Sequence, residues 1–247
     1  MSSYVKEYQD FLCRALERIA DTQMEQIDSA AELIAQAIRD KRSVFGFAPM
    51  HAGIVIEELV YRAGGLATIN PIVSPILQFT TRPLPSTSEF ERLPGHAEIL
   101  LRNSKIKPGD VLIVHACSGR VPTVVEMPMK AREMGVKVIG IYSEQYAGHM
   151  TSLDPSGTMT QDHCDVLIDN CGVMGDACVQ VGGMVQKVAP SSTVTGAFIA
   201  NSIVIRVCEK LLAMGIEPPV YRSANMDGGR EFNAAIMEEY KDIIHYL

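Results

Sequence analysis

Three short runs in the middle of the chain, GDVLIVHA (109–116), GVKVIGIYS (135–143) and CDVLIDN (164–170), are built around uninterrupted apolar cores. A strand with one wet face alternates apolar and polar residues, so a continuous run demands cover on both faces. Such runs alternating with helical segments specify a parallel sheet with helices packed on either side. SVFGFA (43–48) and the stretch near Ala67–Ile72 supply two earlier strands, and a further short one is expected at roughly 183–188. The fold class is therefore α/β, doubly wound.

The remaining segments fit that frame. Leu12, Leu16 and Ile19, then Ile27, Leu33, Ile34 and Ile38, recur at helical spacing. A break is expected near Asp21, with Thr22 as N-cap and Glu25 three residues on. GIVIEELVYRA (53–63), GHAEILLRNS and residues 120–134 read as helices, with Pro122 and Pro128 blurring the start of the last or kinking it. SSTVTGAFIANSIVIRVCEKLLAMG predicts a long helix and GREFNAAIMEEYKDIIHYL a final one. Residues 74–94 form the longest irregular stretch, the kind of loop that is usually functional or mobile. The expected organisation is a helical extension over 1–42 and one sheet domain over 43–247.

Composition excludes several functions. Net charge is -7 and Lys and Arg are scattered along the 247 residues, so neither nucleic-acid binding nor a basic membrane patch is supported. No apolar run approaches the roughly 20 residues that span a bilayer, and no signal-peptide pattern opens the sequence; the expected location is cytoplasmic. The six cysteines form no C-x-x-C pair and read as free thiols. In QDHCDV, adjacent side chains on an entering strand point to opposite faces and cannot chelate together. No metal or cofactor is expected.

In open parallel sheets ligands bind beyond the carboxyl ends of the strands. At that edge CSGR sets Ser118 and Gly119 at a helix start, where unpaired N–H groups and the helix dipole favour an anion. Arg120 would add a fork of donors, and Thr123 sits one turn in. The same residues also suit a plain N-cap beside a solvated arginine. APSSTVTGAF repeats the device: Ser191, Ser192 and Thr193 crowd a helix start where one cap suffices.

Taken in order, EELVYRAGGL, CSGR, KAREMGVKVIGIYS, DVLIDN, GDA, SSTVTG and SANMDGG resemble the SIS (sugar isomerase) domain, specifically a phosphosugar-binding, phosphoheptose-isomerase-like branch. The resemblance covers most of the chain. It implies a flavodoxin-like sheet, a homodimer or homotetramer, and a phosphorylated-sugar site at a subunit interface. Ser118, Ser192 and Thr193 would then hold the phosphate. The chain departs from the family's pattern at Ala116, where a first Ser would stand, and in APMHAG, which keeps His51 but has Ala52 and Gly53 after it. TSLDPSG likewise has Leu153 and Asp154 where relatives tend to carry a basic pair.

Aldose-ketose isomerisation needs a base that moves a proton between adjacent carbons and a group that shuttles one between the oxygens. The resemblance assigns the base to Glu58, about two turns beyond His51, and His51 takes the oxygen protons. Glu58 is equally well read as a carboxylate paired with Arg62 at i+4. Glu89 and His96 are second-line candidates. The expected function is isomerisation of a phosphosugar; the alternatives are a non-catalytic phosphosugar sensor and a phosphosugar lyase or etherase.

Overall fold

The protein is described by a computed structural model covering residues 3–247. Two helices, α1 (Tyr4–Thr22) and α2 (Met24–Arg39), lead into β1 (Val44–Phe47). A short helix α3 (Gly53–Glu57) and β2 (Ile69–Pro71) follow, then α4 (Ser86–Phe90) and α5 (His96–Asn103). The centre runs β3 (Val111–His115), α6 (Pro122–Glu133), β4 (Lys137–Tyr142), α7 (Glu144–Ala147) and β5 (Val166–Asp169). A hairpin, β6 (Ala177–Val179) and β7 (Val188–Pro190), precedes the long α8 (Ser192–Ala213) and α9 (Gly229–Glu239).

β1 to β5 form one parallel sheet in the order β2-β1-β3-β4-β5, the flavodoxin-like arrangement. Period-2 geometry splits the apolar runs between two cores. Val111, Ile113, Ile139 and Ile141 face α2 and α8, together with Ile19 of α1. Leu112, Val114 and Val138 face the other way, against Ala97 and Leu101 of α5 and Met127 and Ala131 of α6. The two N-terminal helices thus share a core with the sheet. Gly196 lets α8 lie close to β3: a Cβ there would sit 2.8 Å from Val55 and 3.4 Å from His115 Nε2.

Pro122 occupies the first turn of α6, where its missing N–H costs nothing. Pro128 leaves the Val124 carbonyl without its helical donor, and the Thr160 hydroxyl fills that role at 2.9 Å.

Four expectations are corrected. Thr22 does not cap α2; its hydroxyl donates back to the Arg18 carbonyl at 2.7 Å, and Gln23 joins the helices. The helix expected over 53–63 ends at Glu57, because Gly64 and Gly65 pair with the backbone of Tyr221 and draw the chain off the helical path. The strand expected at 183–188 is instead an antiparallel hairpin apart from the main sheet, fastened to α1 by Tyr8 donating to the Pro190 carbonyl at 2.8 Å. The last helix stops at Glu239, since Asn70 binds the carbonyl of Ile243 and the N–H of His245 in a non-helical tail.

Candidate functional site

In this strand order the direction of winding reverses between β1 and β3, and the loops after those strands diverge to leave a crevice. A cleft of about 520 Å³ lies there. The loop after β1 lends it His51, the turn after β3 lends Cys117 and Ser118, and α7 lends Tyr146. Ser88 of α4, Glu91 just past it and Asp176 just before β6 add to its polar lining; no Lys or Arg is among the described lining residues.

The turn after β3 is held by its carbonyls. Cys117, Gly119 and Arg120 accept from the backbone N–H groups of Ser143 (3.1 Å), Thr160 (2.9 Å) and Leu153 (2.8 Å). In a planar trans peptide the next N–H points opposite to the carbonyl. The N–H groups of Ser118, Arg120 and Val121 are therefore aimed away from those partners, and no acceptor takes them among the described residues. Gly119 has φ +61, a conformation glycine tolerates, and a Cβ there would press within 3.1 Å of Gln161 Oε1. Ser118 and Val121 line the cleft, so its wall is a turn with free amide donors at the start of a helix.

Other expected anion ligands lie elsewhere. The Arg120 guanidinium donates to the Met150 sulfur at 3.3 Å, and its buried Nε has no partner among the described residues. Thr123, in the first turn of α6, is fully buried, and its N–H donates to the Glu91 carbonyl at 3.1 Å. Ser191 and Ser192 are buried at the start of α8 and already hold an anion, the Asp176 carboxylate. Asp176 Oδ1 accepts from the N–H of Ser191 (3.0 Å) and of Ser192 (2.8 Å), and Oδ2 from the Ser192 hydroxyl at 2.7 Å. Thr193 does not line the cleft.

Of the two expected catalytic residues, the fold brings only His51 into the cleft of its own chain. Glu58 forms an ion pair with Arg62 and accepts from Asn201 Nδ2 at 3.2 Å, outside the cleft. Two other carboxylates reach His51's cleft, Asp176 and Glu91, and the Glu91 side chain is 17% exposed. Burial pushes its carboxyl above the ordinary range, against the opposing pull of Arg92 and His51. Behind it, Gly95 N–H donates to both oxygens of Glu126, at 2.7 and 2.9 Å, which ties this segment to α6. Glu91 lies in SEFERLP, which has no periodicity or motif to mark it; Asp176 lies in GDA, where only the resemblance pointed.

Cys117 is no nucleophile, because burial pushes its thiol up to about 11. His115, at the end of β3, is fully buried; its Nδ1 faces the Ala52 carbonyl at 3.0 Å and its Nε2 has no partner among the described residues. Burial holds its pKa below 6.5, so folding excludes a proton that the unfolded chain binds. Its contribution to stability is complete above the unfolded pKa and drains as pH falls toward the folded one. Between about pH 7.5 and about pH 5.5, His115→Gln should lose less melting temperature than the parent. Equal losses in both proteins would refute that. His163 and His245, lowered by burial as well, leave a residual acid sensitivity in the variant.

No described helix is long and apolar enough to cross a membrane, and no group of three or more His, Cys, Asp or Glu able to hold a metal ion occurs among the described residues.

The family model of the SIS domain matches residues 7–143. A UPF0309 protein of Shouchella clausii is 42% identical over 99% of this chain and 100% of its own length. One from Oceanobacillus iheyensis is 40% identical, also over 99% of this chain and 100% of its own. Among solved structures, a phosphoheptose isomerase from Francisella tularensis superposes with a TM-score of 0.54 at 12% identity, over 83% of this chain and 96% of that one. A phosphoheptose isomerase from Neisseria gonorrhoeae gives 0.50 at 14%, over 83% and 97%. At such identities the superpositions speak to the fold, which is shared. With the domain model covering more than half the chain and full-length relatives at this identity, the protein belongs to the SIS domain family, within its UPF0309 group.

Proposed function

We propose that the protein binds a phosphorylated sugar in the cleft between β1 and β3 and interconverts its aldose and ketose forms. The observation that carries this reading is the pinned turn at Ser118–Val121, with amides that no described residue takes and with Ser118 and Val121 lining the cleft that also holds Glu91 and His51. The turn and the Ser118 hydroxyl take the phosphate oxygens. That fixes the sugar's carbonyl end near the two titratable groups. Glu91, shielded from water, is the base that carries a proton between C1 and C2 through an enediol, and a raised pKa suits that work. His51 moves the proton between the two oxygens. The fold shared with the two phosphoheptose isomerases supports the substrate class.

Assembly as a homodimer or homotetramer belongs to the same reading. Val194, Ile205 and Leu212 are exposed and fall on one stripe of α8, a face a second copy would cover. A single-chain mass in light scattering would remove this part.

The test is turnover and binding across a panel of pentose, hexose and heptose phosphates in heavy water. At least one member should raise the melting temperature and take up solvent deuterium at C1 or C2. Stabilisation without exchange would leave a phosphosugar sensor, and elimination products would identify a lyase. If no member stabilises the protein, the phosphate reading fails.

A further inference from the structure

The start of α6 lines the cleft, the start of α8 is bonded to Asp176 of its lining, and the two starts differ in one respect. The turn leading into α6 has free amide donors, whereas the start of α8 is filled by a carboxylate from the chain itself. We propose that Asp176 is a built-in anion that closes the α8 start and restricts the cleft to ligands with a single phosphate, meeting the hydroxyls at the ligand's far end.

The position of Asp176 follows from the hairpin. Ala177 pairs with Pro190, so the residue before the first faces the residue after the second, and Ser191 N–H reaches the Asp176 carbonyl as well. Gly175 and Asp176 both adopt left-handed φ, 73° and 65°, which turns the side chain onto the helix start. Two backbone N–H groups and the hydroxyls of Ser191 and Ser192 converge on the carboxylate, the donor set an oxyanion ligand would need. Ser191 and Ser192 are thus consumed by an internal partner.

What remains for the ligand is chemically selective. Among the described residues Oδ2 accepts only from the Ser192 hydroxyl, and Asp176 lines the cleft, which leaves a lone pair for a sugar hydroxyl. A second phosphate at that end would meet the carboxylates of Asp176 and Glu91 with no Lys or Arg among the described lining residues. A sugar monophosphate satisfies both ends, and a bisphosphate does not.

This inference rests on the phosphosugar reading for the ligand's identity, but its test separates the two. The full chain is crystallised with inorganic phosphate, and calorimetry compares a hexose monophosphate with the matching bisphosphate. In the parent, phosphate should occupy only the Ser118–Val121 turn, and the bisphosphate should bind about tenfold more weakly or worse. Asp176→Ala should gain a second phosphate on Ser191 and Ser192 and lose most of that discrimination. Asp176→Asn, which keeps the cap without the charge, should fall between them. The inference is overturned if phosphate displaces Asp176 in the parent, or if folded Asp176→Ala takes no phosphate at α8. Should the alanine variant not fold, Asp176→Asn discriminating as strongly as the parent overturns it. If the parent takes no phosphate at the turn while Asp176→Ala takes one at α8, the closing role of Asp176 stands and the phosphosugar reading falls.

Discussion

Glu91→Gln is expected to reduce deuterium exchange and isomerisation by about 10²–10⁴-fold while leaving binding of the phosphosugar nearly unchanged. The amide has the shape of the carboxyl group and cannot take the proton from carbon. The backbone contact between Glu91 and Thr123 and the tie between Gly95 and Glu126 do not involve the replaced atoms, so the cleft keeps its form. Glu58→Gln provides the contrast. In its own chain Glu58 is engaged by Arg62 and Asn201 outside the cleft, and its replacement should cost far less. If exchange instead survives in Glu91→Gln and vanishes in Glu58→Gln, the base is Glu58, reaching a neighbouring copy's cleft. Steady-state kinetics with kcat and KM resolved separately distinguishes these outcomes, because loss of the base lowers kcat and loss of a ligand contact raises KM.

Ile113→Ala should lower the free energy of unfolding by about 2–5 kcal/mol. β3 is the middle strand of five, and Ile113 is 1% exposed on the face that α2 and α8 cover. Truncation leaves a void that neighbours anchored in two helices and two adjoining strands cannot close. Leu153, 46% exposed on the loop before β5, is the control: Leu153→Ala should change stability by no more than about 0.5 kcal/mol. Urea unfolding followed by circular dichroism reads both. A loss under about 1 kcal/mol for Ile113→Ala would mean that the sheet's core repacks more freely than its density implies.

These two predictions differ in how far the sequence reaches them. Ile113 belongs to VLIVH, a run whose continuity already required a doubly covered strand, and the sheet order then followed a common winding. Residues whose environment comes from chain neighbours were legible in the same way. Ser118 and Gly119 could be placed at a strand-to-helix turn because strand, turn and helix are contiguous. Where distant segments meet, local pattern failed. Thr22 has the spelling of an N-cap but spends its hydroxyl inside α1, and the tail after Glu239 keeps helical spacing yet is taken over by Asn70. Glu91 and Thr123 are 32 positions apart and joined by one hydrogen bond that no periodicity announces.

The sequence by itself determined the α/β sheet, the position of the cleft at the carboxyl ends of its strands, and the turn that presents Ser118 and His51's loop to it, because hydrophobic periodicity and turn chemistry act over a few residues. The tertiary structure alone decided which groups are free to act. It gave Ser191 and Ser192 to Asp176, sent Arg120 to Met150 and Glu58 to Arg62, and brought Glu91 to His51. The physical reason is that a polar group's availability depends on which partner reaches it first in space, and those partners come from segments that meet only when the chain has folded.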